Sequence, residues 1–153
     1  METIATSIII QRPVEEVFAF VTDARNNPLW QAGSGLRETQ QLPDGPVGVG
    51  TRINEVWNFM GRSTHSTSEV TEFEVNRKYV RSAVGGSGPI TRGEYTFEPV
   101  AGGTRWSQAT TIQAGGLFPI AEPLLAATLK QGFDTNMAAA KALLERPVAK
   151  NTR

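Results

Sequence analysis

The sequence predicts an α+β fold in which one curved antiparallel sheet of about seven strands wraps around a long C-terminal helix, with two short helices after the first strand. Three observations carry this expectation. First, the isoleucine-rich run Thr3–Ile10 stops near Pro13, and Val14, Val17, Phe18 and Val21 then recur at i, i+3, i+4 and i+7, one face of a helix. Second, the hydrophobic period changes to two from Leu36 to Ile112, with turn signals between neighbouring runs. Third, the helical period returns from about Leu124 to Glu145, a length of roughly 33 Å at 1.5 Å per residue. A sheet bent around such a helix can enclose a cavity.

Taken in order, Thr3–Ile10 reads as the first strand. Pro13 suits the first helical position, where its missing N–H is not needed, and Glu15 and Glu16 favour the positive end of the helix dipole. Thr22 and Asp23 can cap a second short helix that ends about Asn27-Pro28, because the residue before proline avoids the α region. Strands are expected at Leu36–Leu42, Thr51–Met60, Arg62–Glu74, Tyr79–Val84, Ile90–Phe97 and Thr104–Ile112. The intervening turns are Pro43–Pro46, a hairpin at Met60-Gly61, Gly85–Pro89 and Pro99–Gly103. Gly115-Gly116 ends the strands, and Pro119 and Pro123 lie in the approach to the last helix. Its buried stripe is Leu125, Leu129, Phe133, Met137, Ala140 and Leu144. Residues 1–146 form a single domain in this reading, and 147–153 a frayed tail.

Composition narrows the function. The 153 residues are 39% hydrophobic and 20% charged, an ordinary globular balance with one domain's worth of core. Fifteen Lys+Arg balance fifteen Asp+Glu with no basic block, which argues against nucleic-acid binding. There is no cysteine, hence no disulfide, thiolate nucleophile or Cys-ligated metal, and the single histidine, His65, excludes a multi-His metal site within one chain. No apolar run approaches the roughly 20 residues needed to cross a bilayer, and no basic segment precedes Ile4–Ile10 as in a signal peptide. The expectation is a cytoplasmic protein without integral membrane association, metal or cofactor, a monomer or weak homodimer.

Several pieces of the chain carry a family resemblance. They are Ile10–Phe18, Asn27-Pro28-Leu29-Trp30, Val70–Glu74, Gly93–Pro99 with Gly102–Arg105, and Glu122-Pro123-Leu124-Leu125. In this order and spacing they resemble the START-like superfamily, also called SRPBCC or the polyketide cyclase/dehydrase group, whose fold is the helix-grip. The resemblance spans Ile4 to about Glu145 and implies an internal pocket for a hydrophobic small molecule. It leaves the chemistry open, since the superfamily holds lipid carriers, hormone receptors, cyclases and co-chaperones. The chain has no iron–sulfur or non-haem-iron ligand set, which excludes the oxygenase branch.

Strand parity and the helical stripe name the candidate pocket residues. Ile53, Glu55, Trp57 and Phe59 share one strand face, Tyr95 and Phe97 another, and Trp106 and Gln108 should point the same way. Leu125, Leu129 and Phe133 face them from the helix. These aromatics either fill the core, as Phe97 is expected to, or wall a ligand site with polar handles on Trp57, Tyr95 and Trp106. An inward Glu55 needs a partner, and Arg81 or Arg92 can supply it; such a pair could clamp a ligand carboxylate or phenolate. The plainer alternative is a one-residue register shift that returns Glu55 and the arginines to solvent. A turn at Met60-Gly61 sets Thr64 opposite Trp57 and Ser66 opposite Glu55, so hydroxyls, with Gln108 and Thr110, would enter the cavity and His65 would face outward. Gly132 either admits close helix–sheet packing or leaves room for a ligand, and the Gly45–Gly50 and Gly85–Gly88 loops are candidate gates.

Three functions follow from these residues taken with the resemblance. The leading one is a carrier or sensor of a lipid, aromatic or polyketide-like molecule. The alternative is a cyclase/dehydrase-type enzyme in which Tyr95, Glu55 or an arginine moves protons. A protein-interaction role, as in the co-chaperone branch, has no exposed apolar patch in the sequence to support it.

Overall fold

The structure, a computed structural model, describes residues 2–59, 61–87, 90–113 and 122–146, with the side chains of Phe59, Ile90 and Glu122 left aside. The elements run β1 (Glu2–Ile10), α1 (Val14–Thr22), a 3₁₀ turn (Ala24–Asn26), α2 (Asn27–Gln31) and a second 3₁₀ turn (Ala32–Ser34). Six strands follow, β2 (Leu36–Leu42), β3 (Arg52–Phe59), β4 (Arg62–Glu74), β5 (Lys78–Gly86), β6 (Ile90–Val100) and β7 (Gly103–Gln113), and then α3 (Glu122–Leu144). All strands pair antiparallel in the order β1-β7-β6-β5-β4-β3-β2. The meander from β2 to β7 thus takes β1 on its far edge, and the helical segment after β1 crosses the curved sheet to reach β2. Among the described residues no helix is long and apolar enough to cross a membrane.

Local chemistry explains the boundaries, including those that differ from expectation. Pro13 is the cap of α1 and not its first residue: it is extended, with φ −59° and ψ 150°, and its carbonyl accepts from Glu16 and Val17. Asp23 caps the following 3₁₀ turn by accepting from the Arg25 N–H at 3.1 Å. The second helix does not end at Pro28. The proline sits in the first turn of α2, where it lacks a donor that would go unused, so the chain coils on to Ser34. Pro123 repeats this in α3, which begins two residues earlier than the sequence indicates. Gly35 ends the second 3₁₀ turn at φ +114°, and a Cβ there would stand 2.1 Å from the Asn58 carbonyl oxygen, so only glycine lets this segment dock against β3.

Strands β5, β6 and β7 run further than their apolar cores. Gly85 and Gly86, expected in a loop, continue β5 through a bulge against β4. Pro99 lies in β6, but β5 accompanies β6 only as far as Thr96, so the missing N–H breaks no ladder bond on that side. The β3–β4 register pairs Phe59 with Arg62, as a two-residue turn requires; Met60 itself, Gly88-Pro89, Gly115-Gly116, Pro119 and the tail 147–153 lie outside the described residues.

Two apolar cores join α3 to the rest. The larger packs Val17, Phe18 and Val21 of α1 with Trp30, Ile53, Val70, Phe97 and Trp106, and closes on Met137 and Ala140 of α3. Phe18 meets Phe97 edge-to-face with ring centroids 5.0 Å apart, and Trp106 meets Trp30 at 5.3 Å. The smaller core joins Leu125 to Ile4 and Ile112 near the start of α3. Between the two, Leu129 and Phe133 are only partly buried. The apolar stripe of α3 is therefore sealed at both ends and open in the middle.

Candidate functional site

That opening is a cavity of about 560 Å³ between α3 and the sheet. The sheet contributes Glu55 and Trp57 of β3, Thr64, Ser66 and Ser68 of β4, Tyr79 and Arg81 of β5, Gly93 and Tyr95 of β6, and Gln108 and Thr110 of β7. Helix α3 lays Leu129, Gly132, Phe133 and Asn136 across it, and Trp30, Gln31, Gly33 and Ser34 close a side. The hydroxyl row on β4 follows from register, since Thr64 pairs with Trp57 and Ser66 with Glu55. His65 lies on the opposite face and is exposed.

Glu55 is 4% exposed, so the register shift that would have returned it to solvent does not occur. Its Oε1 accepts from Arg81 Nη2 at 3.2 Å and from Trp57 Nε1 at 3.3 Å, and its Oε2 accepts from Asn27 Nδ2 at 3.1 Å. A buried carboxylate without such donors would be strongly disfavoured. Arg81 keeps 20% of its side chain accessible and faces the cavity. Burial works against its charge, but the Glu55 carboxylate and the neighbouring phenols more than compensate, holding the guanidinium proton more tightly than usual. Burial pushes the Tyr79 and Tyr95 phenols up, and the nearby Arg81 opposes this only in part. Both stay neutral hydroxyl donors at ordinary pH. Their rings lie 5.6 Å apart, and Tyr95 packs edge-on to Trp106 at the same spacing.

Of the residues expected at a pocket, Glu55, Trp57, Arg81, Tyr95, Gln108, Leu129 and Phe133 come together in this wall. Ile53, Trp106 and Leu125 do not. They face the interior as parity requires, but Ile53 and Trp106 are covered by the α1–α2 core, and Leu125 is sealed against Ile4 and Ile112. The Phe59 side chain lies outside the described residues. Arg92 is not a partner of Glu55; it reaches Glu72 and Glu94, each at 3.6 Å. Among the described residues of the Gly45–Gly50 and Gly85–Gly88 loops, none borders the cavity, so the gate expectation finds no support there. Gly132 lines the cavity, and the close packing it admits is with the second 3₁₀ turn and not with the sheet: a Cβ on it would come within 3.2 Å of Ser34 Cβ.

The sequence reading missed Trp30, Gln31, Tyr79 and Asn136 in the wall, and Asn27 behind it. A signal for Trp30 and Gln31 was present in Pro28, which starts helices as readily as it ends them. Trp30 Nε1, Ser68 Oγ and Asn136 Oδ1 are buried without a hydrogen-bond partner among the described residues, each a cost of about 1–3 kcal/mol. Among the described residues no cluster of three His, Cys, Asp or Glu offers a metal site.

The architecture matches solved structures over nearly its whole length. A START superfamily protein from Mycobacterium smegmatis superimposes with a TM-score of 0.80 at 12% identity, covering 95% of this chain and 99% of its own. A protein from Thermus thermophilus gives 0.79 at 16% identity over 94% of this chain and 97% of its own. DynU16, from the dynemicin biosynthetic locus, gives 0.69 at 19% identity over 95% of this chain and 48% of its own. At these identities the likeness establishes the fold alone. No curated protein matches the sequence. The model of the family described as polyketide cyclase / dehydrase and lipid transport matches residues 1–145, and the chain belongs to that family.

Proposed function

We propose that the chain binds an apolar small molecule bearing a few oxygen atoms within this cavity, as a carrier or sensor. The observation that supports the reading is the cavity itself: about 560 Å³, inside the roughly 300–1,000 Å³ range of small-molecule sites, held open where the α3 stripe could have packed onto the sheet. Trp57, Leu129 and Phe133 offer apolar surface, worth about 25 cal/mol per Å² removed from water. The hydroxyls of β4 with Gln108 and Thr110 offer orientation. The experiment is a titration with the neutral dye Nile red, together with native mass spectrometry of the purified protein. Saturable one-to-one binding with a raised melting temperature is expected; at a dye concentration 100 times Kd the stabilisation should be about 2.7 kcal/mol. Absence of binding by a folded sample rejects the reading.

A second reading, cyclisation or dehydration of a polycarbonyl substrate, draws on the presence of Glu55, Arg81, Tyr79 and Tyr95 in one wall. Glu55 is a poor choice of base there, because three donors already occupy its oxygens. Proton transfer would fall to a phenol, with Arg81 steadying an enolate. Turnover of any aromatic polyketide precursor that Tyr95→Phe abolishes would favour the enzyme over the carrier.

A further inference from the structure

We propose that the ligand is an uncharged molecule seated by a carbonyl oxygen on the Arg81 wall, and that the prepaired Glu55 excludes carboxylates from the same position. This rests on the binding reading above and specifies its chemistry. Arg81 and Glu55 are the only charged side chains in the wall among the described residues, and they are already joined at 3.2 Å. The wall is therefore electrically balanced before any ligand arrives. A ligand carboxylate at Arg81 would lie beside a second anion in a poorly solvated site, where like charges repel strongly. Displacing Glu55 offers no escape, since Asn27 and Trp57 also hold its buried carboxylate.

What the wall leaves over is a set of donors. Arg81 spends one N–H on Glu55 and lies against the Tyr79 hydroxyl, which leaves further N–H groups on the guanidinium, and the hydroxyls of Tyr79 and Tyr95 stand in the same wall as donors. Gly93 stands opposite Arg81 in the β5–β6 register and opposite Thr110 in the β6–β7 register, so position 93 places no side chain beside Arg81. Converging neutral donors beside a neutralised cation suit the lone pairs of a ketone, quinone or ester. They add little for a hydrocarbon and are offset by repulsion for an acid.

The test compares three naphthalenes of nearly equal shape as competitors of Nile red at pH 7.5: 2-acetylnaphthalene, 2-ethylnaphthalene and 2-naphthoate. The ketone should bind at least tenfold tighter than the hydrocarbon, although the hydrocarbon is the more apolar, and at least tenfold tighter than the carboxylate. Tyr95→Phe, which keeps the ring, should erode the advantage over the hydrocarbon by three- to tenfold and leave 2-ethylnaphthalene unchanged. Glu55→Gln should move the ratio toward naphthoate; where that variant does not fold, the wild-type ratios decide. A ketone no tighter than the hydrocarbon, or a carboxylate equal to the ketone, overturns the proposal. Dye binding with no competition by any of the three does so too, while leaving the binding function standing. A folded protein that does not take up the dye defeats both.

Discussion

The two tyrosines of this chain, Tyr79 and Tyr95, are its only ones, and both stand in the cavity wall, so alkaline titration reads the site directly. Burial raises both phenols above their ordinary value. A free phenol is half ionised near pH 10. The folded protein should therefore show little rise in absorbance at 295 nm through pH 10, whereas the guanidinium-unfolded chain should ionise both groups around that value. The sign follows from proton counts: above about pH 10 the unfolded chain has released protons that the folded one retains, so stability falls as pH rises, and below about pH 9 the groups contribute no pH dependence. At pH 11 the unfolded state gains about 1.4 kcal/mol per tyrosine, roughly 2.8 kcal/mol for both, if the folded forms keep their protons. Other groups also titrate there, so the measurement is the difference between wild type and a Tyr79→Phe/Tyr95→Phe double variant, each unfolded in guanidinium chloride at pH 8 and pH 11. The wild type should lose more than the variant, by up to about 2.8 kcal/mol. Single variants assign the two transitions, and an apolar ligand should delay both, since both rings border the cavity. Ordinary ionisation near pH 10 with the far-ultraviolet circular dichroism of the fold intact would refute the reasoning, because it would mean both hydroxyls are solvated.

Two further predictions probe the cavity and the core that holds it open. The Cβ that Gly93→Leu adds meets Thr110 Oγ1 at an ordinary 3.5 Å with no unusual backbone to strain, and its isobutyl group enters the cavity, so the variant should abolish Nile red binding while changing stability by less than about 1.5 kcal/mol in equilibrium unfolding. Retained dye affinity would place the ligand elsewhere. Phe18→Ala removes a 4%-exposed ring packed on Phe97 and Phe73 and should cost about 3–5 kcal/mol by urea denaturation; a loss below about 1 kcal/mol would show that α1 is not anchored through it.

What the sequence determined by itself was type and face. A period of two across Leu36–Ile112 and of 3.6 at either end specifies strands and helices, and alternation along a pleat decides that Glu55, Trp57, Thr64, Ser66, Gln108 and Thr110 point one way and His65 the other. Only the tertiary structure decided depth. Trp57 and Trp106 obey the same parity, yet one borders a cavity and the other is fully buried, because α1 and α2 cover one part of the sheet and not the rest. Leu125 and Leu129 belong to one helical stripe and part in the same way, by where α3 touches the sheet. The partner of Glu55 was legible in part: alternation with the inward Tyr95 and Phe97 already puts Arg92 on the outward face of β6, whereas the reach of Arg81 from β5 across β4 to Glu55 is a tertiary matter. Asn136 shows the remaining limit, since a polar residue next to Met137 looks like the wet flank of a helix until α2 and the turn at Ala32–Ser34 pack on α3. Periodicity records which side of an element avoids water; it holds no record of how closely another element approaches that side, and that distance is what separates a core from a binding site.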